Sequence, residues 1–180
     1  EFQSFGIAGS PTLHKGLVFI SDTSGHIRAI DWRARDRPFE KTLRNIKIQL
    51  FILGFLNHLP RPEGFVWGFQ KSHETFVGTP AVADDTVYIG SSSGTLFALE
   101  ESSGTLRWQF KADSSLTTSP SVSGKTVFVG DEDGILYAID TLSGQLEWKF
   151  SVDSSLSSTP VIANGNLYLT TLTGTVYALE

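Results

Sequence analysis

The sequence contains the stretch ALEESSGTLRW at residues 98–108, and an altered copy of it, AIDTLSGQLEW, stands at residues 138–148. In both copies an alanine is followed two residues later by a carboxylate, then by Ser-Gly, and the stretch ends on a tryptophan. The two tryptophans, Trp108 and Trp148, are 40 residues apart. This spacing indicates that the chain is built from a repeated unit.

The repeated unit extends through most of the chain. Glycines and prolines recur at the same interval of 40 residues: Gly94, Gly134 and Gly174, and Pro80, Pro120 and Pro160. A self-similar unit of this length, rich in short apolar segments and turn residues, is typical of an array of small sheets that bury their faces against one another. The pattern therefore predicts an all-β fold.

Each unit carries the signals of antiparallel strands and hairpins. An aliphatic–aromatic–aliphatic triplet, such as Val87-Tyr88-Ile89, predicts a strand that is buried on both faces. A polar cluster ending in glycine follows each triplet, and glycine suits a tight hairpin that needs a positive φ. Each unit begins with a hydroxyl residue and proline, such as Thr79-Pro80, where proline can open a strand without removing a ladder hydrogen bond.

The pattern of alanine, carboxylate, Ser-Gly and tryptophan resembles the repeat of quinoprotein-type propellers, the PQQ-like repeat family. Two full and two partial copies extend the resemblance over nearly the whole chain. It implies a β-propeller of four-stranded antiparallel blades, with about four blades here, as part of a larger propeller of seven or eight. It also implies that the tryptophan packs between neighbouring blades and favours a periplasmic, extracytoplasmic location. Replacing Trp108 or Trp148 by alanine should then cost about 3–5 kcal/mol if each is buried.

The repeat register divides the chain into blades. It predicts blade 1 at residues 9–76, blade 2 at 77–116, blade 3 at 117–156 and an incomplete blade 4 at 157–180, preceded by residues 1–8 as a remnant of the outer strand of another blade. One interpretation is a piece of a longer propeller, whose cut blade edges favour self-association. The other is a four-bladed ring closed by pairing of residues 1–8 with the last blade. We favour the first.

One unit is longer than the others. The interval from Pro11 to Pro80 is 69 residues, so that 29 residues are inserted between the third and fourth strands of blade 1. Residues 33–63 hold seven of the 14 Lys and Arg residues and carry a net charge of +4, whereas the whole chain is −5 and the remainder is therefore −9. Apolar residues at 43, 46, 50 and 53 favour a helix, although positions 46, 48, 50 and 52 also alternate as in a strand.

We expect this insert to pack back on the propeller. An acidic partner or a membrane surface is the alternative contact, because the insert differs so strongly in charge from the rest of the chain. Its apolar stretch from Leu50 to Leu56 is too short to span a bilayer, which needs about 20 apolar residues.

Composition sets few further limits. The chain has no cysteine, which excludes a disulfide framework and a thiol nucleophile. It also lacks the adjacent-cysteine disulfide that the resemblance would imply for several PQQ dehydrogenases. The net charge of −5 disfavours nucleic acid as a partner of the blades.

Few residues are candidates for chemistry. Asp131 and Asp133 are the best candidates for a metal site, but glycine follows at the fourth position of their cluster and no acidic ligand follows at EF-hand spacing, so that a solvated turn is favoured. An acid also recurs just before the fourth strand, where we expect it to accept hydrogen bonds from the turn: Asp31, Glu100, Asp140 and Glu180. The sequence identifies no catalytic residue and assigns no cofactor-binding residue.

Three functions of different classes fit these observations. The first is a non-catalytic propeller that acts as a protein-interaction or scaffold module, bound to a protein partner or to the remainder of a larger propeller. The second is part of a PQQ-dependent alcohol or sugar dehydrogenase, which would use PQQ and calcium. The third is an accessory sensing propeller of a multidomain acyl-activating enzyme or kinase. The first is favoured, because the repeat encodes blade packing and catalysis has to be argued from a site.

Overall fold

The computed structural model describes residues 6–34, 40–55 and 64–180, and its strands form four antiparallel sheets. The first sheet contains β1 (Thr12–His14), β2 (Leu17–Ser21), β3 (His26–Asp31) and β4 (Phe65–Gln70), with helix α1 (Glu40–Ile52) between β3 and β4. The second contains β5 (Phe76–Ala83), β6 (Thr86–Ser91), β7 (Thr95–Glu100) and β8 (Leu106–Lys111). The third contains β9 (Ser121–Ser123), β10 (Thr126–Gly130), β11 (Ile135–Asp140) and β12 (Leu146–Ser151), and the fourth contains β13 (Val161–Ala163), β14 (Asn166–Thr170) and β15 (Val176–Leu179).

Each sheet is a simple meander whose strands pair in sequence order. The first strands of neighbouring sheets lie side by side, β1 beside β5, β5 beside β9 and β9 beside β13. The sheets are therefore the blades of a β-propeller, with the first strand of each blade innermost and the fourth strand outermost. This confirms the predicted fold class, and four blades fit the chain. Among the described residues the fourth blade has three strands.

The core consists of the interfaces between successive blades. Alternating side chains of one strand enter two different interfaces, because successive residues of a strand point to opposite faces of its sheet. In β6, Val87 and Ile89 pack against blade 1, whereas Tyr88 packs against blade 3. All six residues of β6 are buried, which confirms the prediction of strands that are covered on both faces.

The hairpins between the second and third strands have a common cap. Their glycines adopt φ values of 80 to 86°, as predicted: Gly25, Gly94, Gly134 and Gly174. Three residues earlier, a buried Asp, Ser or Thr accepts a hydrogen bond from the backbone N–H four residues further on, at 2.8–3.3 Å: Asp22, Ser91, Asp131 and Thr171. This side-chain cap explains why the first hairpin position is polar in every unit.

The hydroxyl residues before Pro80 and Pro120 link neighbouring blades near the axis. Thr79 Oγ1 accepts a hydrogen bond from Ser10 N at 3.1 Å, and Ser119 Oγ accepts one from Thr79 N at 2.8 Å. The Thr12 hydroxyl donates to Pro80 O in the same region, at 2.5 Å. The Ser/Thr-Pro signal thus serves the contact between blades as well as the start of a strand.

The insert forms the helix α1, which confirms the helical interpretation of its apolar spacing. Within the segment 33–63, residues 35–39 and 56–63 lie outside the described residues. The expected packing against the propeller is not found at Leu43 and Ile46, which are 53% and 49% exposed. The physical reason is that the apolar faces of blades 1 and 2 already cover one another.

The chain before blade 1 is described from Gly6 onward, and the predicted role of residues 1–5 lies outside the described residues. Ile7 forms a bridge with Asp22 of blade 1. Leu116 and Leu156 form the same bridge with the equivalent hairpin residues of blades 3 and 4. Ile7 therefore occupies the position that leads into the first strand of a blade.

Candidate functional site

The tryptophan of the fourth strand joins each blade to the next. Trp67 of β4 stands opposite Ala29 in the strand register and is only 5% exposed. Its indole Nε1 donates a hydrogen bond to the backbone oxygen of Glu101 in blade 2, at 2.7 Å. The ring lies on Gly104, where φ is +71° and an added Cβ would overlap the indole. Trp67 therefore packs between two blades, as predicted from the repeat.

The same arrangement recurs between blades 2 and 3. Trp108 stands opposite Ala98, donates to Thr141 O at 2.9 Å and lies on Gly144. Three features of the repeat thus have one purpose. The alanine makes room for the indole, and the residue after the acid supplies a carbonyl acceptor. The glycine allows the indole to pack directly on the backbone, because it has no Cβ.

Among the described residues, Trp148 has no carbonyl acceptor and no glycine from a following blade. Its ring keeps the contact with Phe128 of its own blade, with ring centroids 5.8 Å apart, but the side chain is 41% exposed. No hydrogen bond of its indole nitrogen is present among the described residues. The cost of 3–5 kcal/mol predicted for a buried Trp148 therefore does not apply.

The outer side of β15 in blade 4 lies beside this tryptophan. We call the outer side of β15 together with Trp148 the open edge. Within the described residues β15 has a partner strand on one side only, β14. Tyr168 and Val176, on the face of blade 4 that points away from blade 3, are 38% and 65% exposed. The residues at the equivalent positions of blade 2, Tyr88 and Leu96, are fully buried.

A charged cleft separates blades 1 and 2 on the face that carries the insert. His14 Nδ1 lies 2.6 Å from Glu101 Oε1, and Lys15 Nζ donates to Asp85 Oδ1 at 2.5 Å. The hydrogen bond between Lys15 and Asp85 raises the pKa of the lysine and lowers the pKa of the aspartate. The Glu101 side chain is almost fully buried. A cavity of about 400 Å³ is bordered by Lys15, Asp85 and Glu101, and its lining is completed by Leu17, Glu100 and Ser102.

Sequence reasoning missed this cleft. His14 and Glu101 are 87 positions apart, and neither side-chain type recurs at the equivalent position of the next unit. The corresponding positions at the next blade interface hold Ala83 and Thr141. The blade register aligns the turn between the first two strands of one blade with the turn before the fourth strand of the next. Only this alignment could have indicated that His14 and Glu101 meet.

The family model described as outer membrane protein assembly factor BamB matches residues 59–180, about two thirds of the chain. The chain belongs to this family. The match confirms the PQQ-like repeat resemblance, which rested on the tryptophan motif. No curated protein matches the sequence of this BamB-family chain.

Solved structures show the same fold. BamB from Moraxella catarrhalis has a TM-score of 0.74 at 20% identity, and the match covers 99% of this chain and 48% of that protein. The computationally designed Ika4 protein has a TM-score of 0.74 at 17% identity, over 100% of this chain and 94% of the design. The designed Ika8 protein gives 0.73 at 16% identity, over 97% of this chain and 45% of the design. The chain thus spans about half the length of the Moraxella BamB.

The predicted metal candidates lie in the third hairpin of this BamB-family propeller. Asp131 is fully buried, and its Oδ1 accepts hydrogen bonds from the backbone nitrogens of Asp133 and Ile135. Its Oδ2 accepts a hydrogen bond from the Tyr137 hydroxyl at 2.9 Å, whereas Asp133 is exposed. Burial raises the pKa of Tyr137 above its usual range, and the bond to Asp131 adds to this effect. The sequence favours a turn without a metal at Asp131 and Asp133, and this stays a prediction.

The recurring acids before the fourth strand differ in their contacts. Asp31 Oδ1 accepts from Arg33 N, and Asp140 Oδ1 accepts from Ser143 N and the Ser143 hydroxyl. The hydrogen bonds from Ser143 hold the pKa of Asp140 below its usual value. Both agree with the expected role in the turn. Glu100 instead forms an ion pair with Arg107 across its own sheet, and Glu180 is exposed.

The hairpin cap of blade 1 predicts a pH dependence of stability. Burial alone would raise the pKa of Asp22, but hydrogen bonds from Ser24 and the His26 backbone, with the charge of Arg28, hold it below its usual value of 3.8. The folded protein therefore favours the ionised carboxylate. This contribution to stability is present above about pH 4 and is lost as the pH falls through the folded-state pKa.

We therefore expect Asp22→Asn to lower the free energy of unfolding at pH 7 by about 1–3 kcal/mol, because a charged acceptor is lost. The substitution should also reduce the fall in stability between pH 5 and pH 2. Urea denaturation at a series of pH values measures both effects. Curves that run parallel for the two proteins over this range would contradict the assignment of Asp22.

Proposed function

We propose that this propeller module is a non-catalytic scaffold, and that a strand from a protein partner or from the remainder of a larger propeller binds along the open edge of blade 4. The observation that carries the proposal is the contrast between two equivalent tryptophans. Trp67 is 5% exposed and hydrogen-bonded to the next blade, whereas Trp148 is 41% exposed. The exposed half of the Trp148 ring is suited to an added strand and its preceding turn, supplied by a protein partner or by the remainder of a larger propeller.

The repeat defines the kind of segment that fits. An added strand would extend the sheet of blade 4 by β-strand addition, in which backbone hydrogen bonds give affinity and side-chain pockets give specificity. In blades 2 and 3 the fourth-strand tryptophan stands opposite an alanine, and the equivalent position of β15 is the exposed Ala178. Tyr168 would receive the incoming indole, as Tyr88 receives Trp108 with ring centroids 5.8 Å apart.

The turn before the added strand would cover Trp148. A carbonyl two residues before a Ser-Gly pair accepts the indole N–H in the two complete interfaces, and the glycine forms the floor. The proposed segment therefore contains, in sequence order, a residue with a free backbone carbonyl, a Ser-Gly pair, an aliphatic residue, a tryptophan and a phenylalanine. The family description, an assembly factor for outer membrane proteins, supports a role in binding polypeptide.

A synthetic peptide tests the proposal directly. The peptide TLSGQLEWKFS, which copies residues 141–151, should bind the protein with measurable heat in titration calorimetry and should raise its melting temperature. A peptide with alanine in place of tryptophan should bind at least tenfold more weakly. The protein variant Ala178→Phe, changed at an exposed position, should also lose binding, because no room remains opposite the tryptophan.

Two results would count against the open edge. One is the absence of binding to the unchanged protein. The other is equal binding by the unchanged protein and by Ala178→Phe, since the peptide would then occupy another surface. Circular dichroism of the variant checks that it is folded.

The dehydrogenase alternative receives little support from the residues. Calcium needs several oxygen ligands that converge on one point. In the described ranges, no three side chains of His, Asp or Glu are grouped so that they could hold a metal ion. Both carboxylate oxygens of Asp131 already accept hydrogen bonds. The described residues therefore do not fit the calcium of a PQQ site.

A further inference from the structure

We propose that the insert binds the surface of an anionic lipid membrane through the exposed apolar residues of α1 and of the turn that follows it. We call this set the insert surface: Leu43, Ile46, Ile52, Leu53 and Phe55. Their exposed fractions are 53%, 49%, 67%, 66% and 75%. None of them belongs to a hydrophobic core cluster of the blades. This proposal is independent of polypeptide binding at the open edge.

The charge of the insert complements an anionic surface. Residues 41–62 include Lys41, Arg44, Lys47 and Arg61 and contain no carboxylate. At the base of the insert, Trp32 is 58% exposed, and the Arg33 guanidinium lies 5.7 Å from the centre of its ring. Basic residues beside exposed apolar and aromatic side chains are typical of helices that lie in the headgroup region of a membrane.

The distribution of the apolar residues favours a membrane over a protein groove. Leu43 and Ile46 lie on one side of the helix, and Leu53 continues this stripe just after the helix ends, since its backbone N–H still donates to Gln49 O at 2.9 Å. Ile52 lies about 100° away from Leu53 around the helix axis, and Phe55 follows after the helix ends. A groove covers a single stripe, whereas the apolar boundary of a bilayer accommodates side chains around the whole tip of the insert.

A second copy of the chain is a poorer occupant of the insert surface. Two inserts brought together would each carry a net charge of +4, and like charges that face each other at an interface oppose association. The remainder of the chain, at −9, is repelled by an anionic bilayer. The insert is therefore the part of the molecule that such a membrane attracts.

The geometry requires a helix that lies on the membrane. A helix of 13 residues is about 20 Å long, shorter than the hydrocarbon core of about 30 Å. Within the described residues, no helix has the length and apolar character that crossing a bilayer demands. The insert would therefore bury its apolar side chains near the headgroups, and its basic residues would remain among the lipid phosphates.

Vesicle sedimentation of the whole chain tests this proposal. We expect the protein to sediment with vesicles of phosphatidylglycerol and phosphatidylcholine in a 1:1 ratio, and to remain in solution with phosphatidylcholine alone. Raising the salt to about 0.5 M should release it, because charge screening shortens the range of the attraction. Free inorganic phosphate at millimolar concentration should not compete, since the apolar contact requires a lipid surface.

Substitutions locate the contact. The triple variant Leu43→Ser, Ile46→Ser, Leu53→Ser should bind anionic vesicles at least tenfold more weakly, and Lys47→Glu should weaken binding as well. All four residues are exposed, so that the fold should be retained. The matched control is Leu172→Ser, which removes an equally exposed leucine from a hairpin of blade 4 and should leave vesicle binding unchanged.

Three outcomes would overturn the proposal. The first is no sedimentation with the anionic vesicles. The second is equal sedimentation with both kinds of vesicle. The third is full binding by the triple variant or an equal loss in Leu172→Ser. Because the peptide titration at the open edge uses no lipid, its result does not depend on the result of this experiment.

Discussion

Replacing Trp67 by alanine is expected to lower the free energy of unfolding by about 3–5 kcal/mol. The indole is 5% exposed and packs on Phe19 of its own blade, with ring centroids 5.8 Å apart. It also covers Gly104 and donates to Glu101 O at 2.7 Å. The substitution removes this volume from a place that no neighbour can fill and leaves a backbone oxygen without its donor. Urea denaturation followed by circular dichroism measures the loss.

Trp148→Ala is the matched control for this prediction. The residue type and the repeat position are the same, but the side chain is 41% exposed. Because less apolar surface is buried, we expect a cost of about 1 kcal/mol. Trp67→Phe should fall between the two, since it keeps an aromatic ring and loses the hydrogen bond. Equal losses for Trp67→Ala and Trp148→Ala would show that the contact between blades contributes little to stability.

These tryptophans also show which parts of the fold can be predicted from sequence. The alanine opposite the indole lies in the same unit as the tryptophan, the glycine beneath it and the residue that supplies the carbonyl lie in the next unit, and all three positions recur at the 40-residue interval. A contact that every unit must make leaves its pattern in every unit. The strands, their antiparallel order, the positive φ of the hairpin glycines and the helical insert follow from such local patterns.

Contacts that occur once could not be predicted in this way. The charged cleft joins His14 and Glu101, which have no counterparts in the other blades. The exposure of Leu43 and Ile46 was also missed, because apolar spacing predicts a helical stripe but does not say what covers it. The capping role of Asp131 was only partly predicted. The sequence indicated a turn, but the burial of its first residue depends on Tyr137, which comes from the following strand.

Asp131→Ala is the second substitution with a large expected effect, a loss of about 2–4 kcal/mol in the free energy of unfolding. The carboxylate accepts hydrogen bonds from the backbone nitrogens of Asp133 and Ile135 and from the Tyr137 hydroxyl, and it is fully buried. Alanine leaves these donors without an acceptor in the hairpin and the adjoining strand. Thermal and urea denaturation both measure the effect.

Asp131→Ser separates the two kinds of partner. Ser91 and Thr171 occupy the equivalent positions of blades 2 and 4 and accept the backbone hydrogen bond there with a hydroxyl oxygen. Serine at position 131 should therefore restore the backbone cap but should not reach the Tyr137 hydroxyl. We expect a smaller loss than for alanine, because the backbone donors of the hairpin regain an acceptor.

The same variants decide whether Asp131 has the metal role considered from the sequence. A carboxylate that serves as a hairpin cap should give a protein whose melting temperature does not respond to millimolar Ca²⁺. A metal ligand should give stabilisation by Ca²⁺ in the unchanged protein and none in Asp131→Ala, since ligand binding to the folded state raises its stability. We expect the first result, because Asp131 is fully buried and both of its carboxylate oxygens accept hydrogen bonds within the third hairpin and from Tyr137. Recovery of stability in Asp131→Ser without added metal would point the same way.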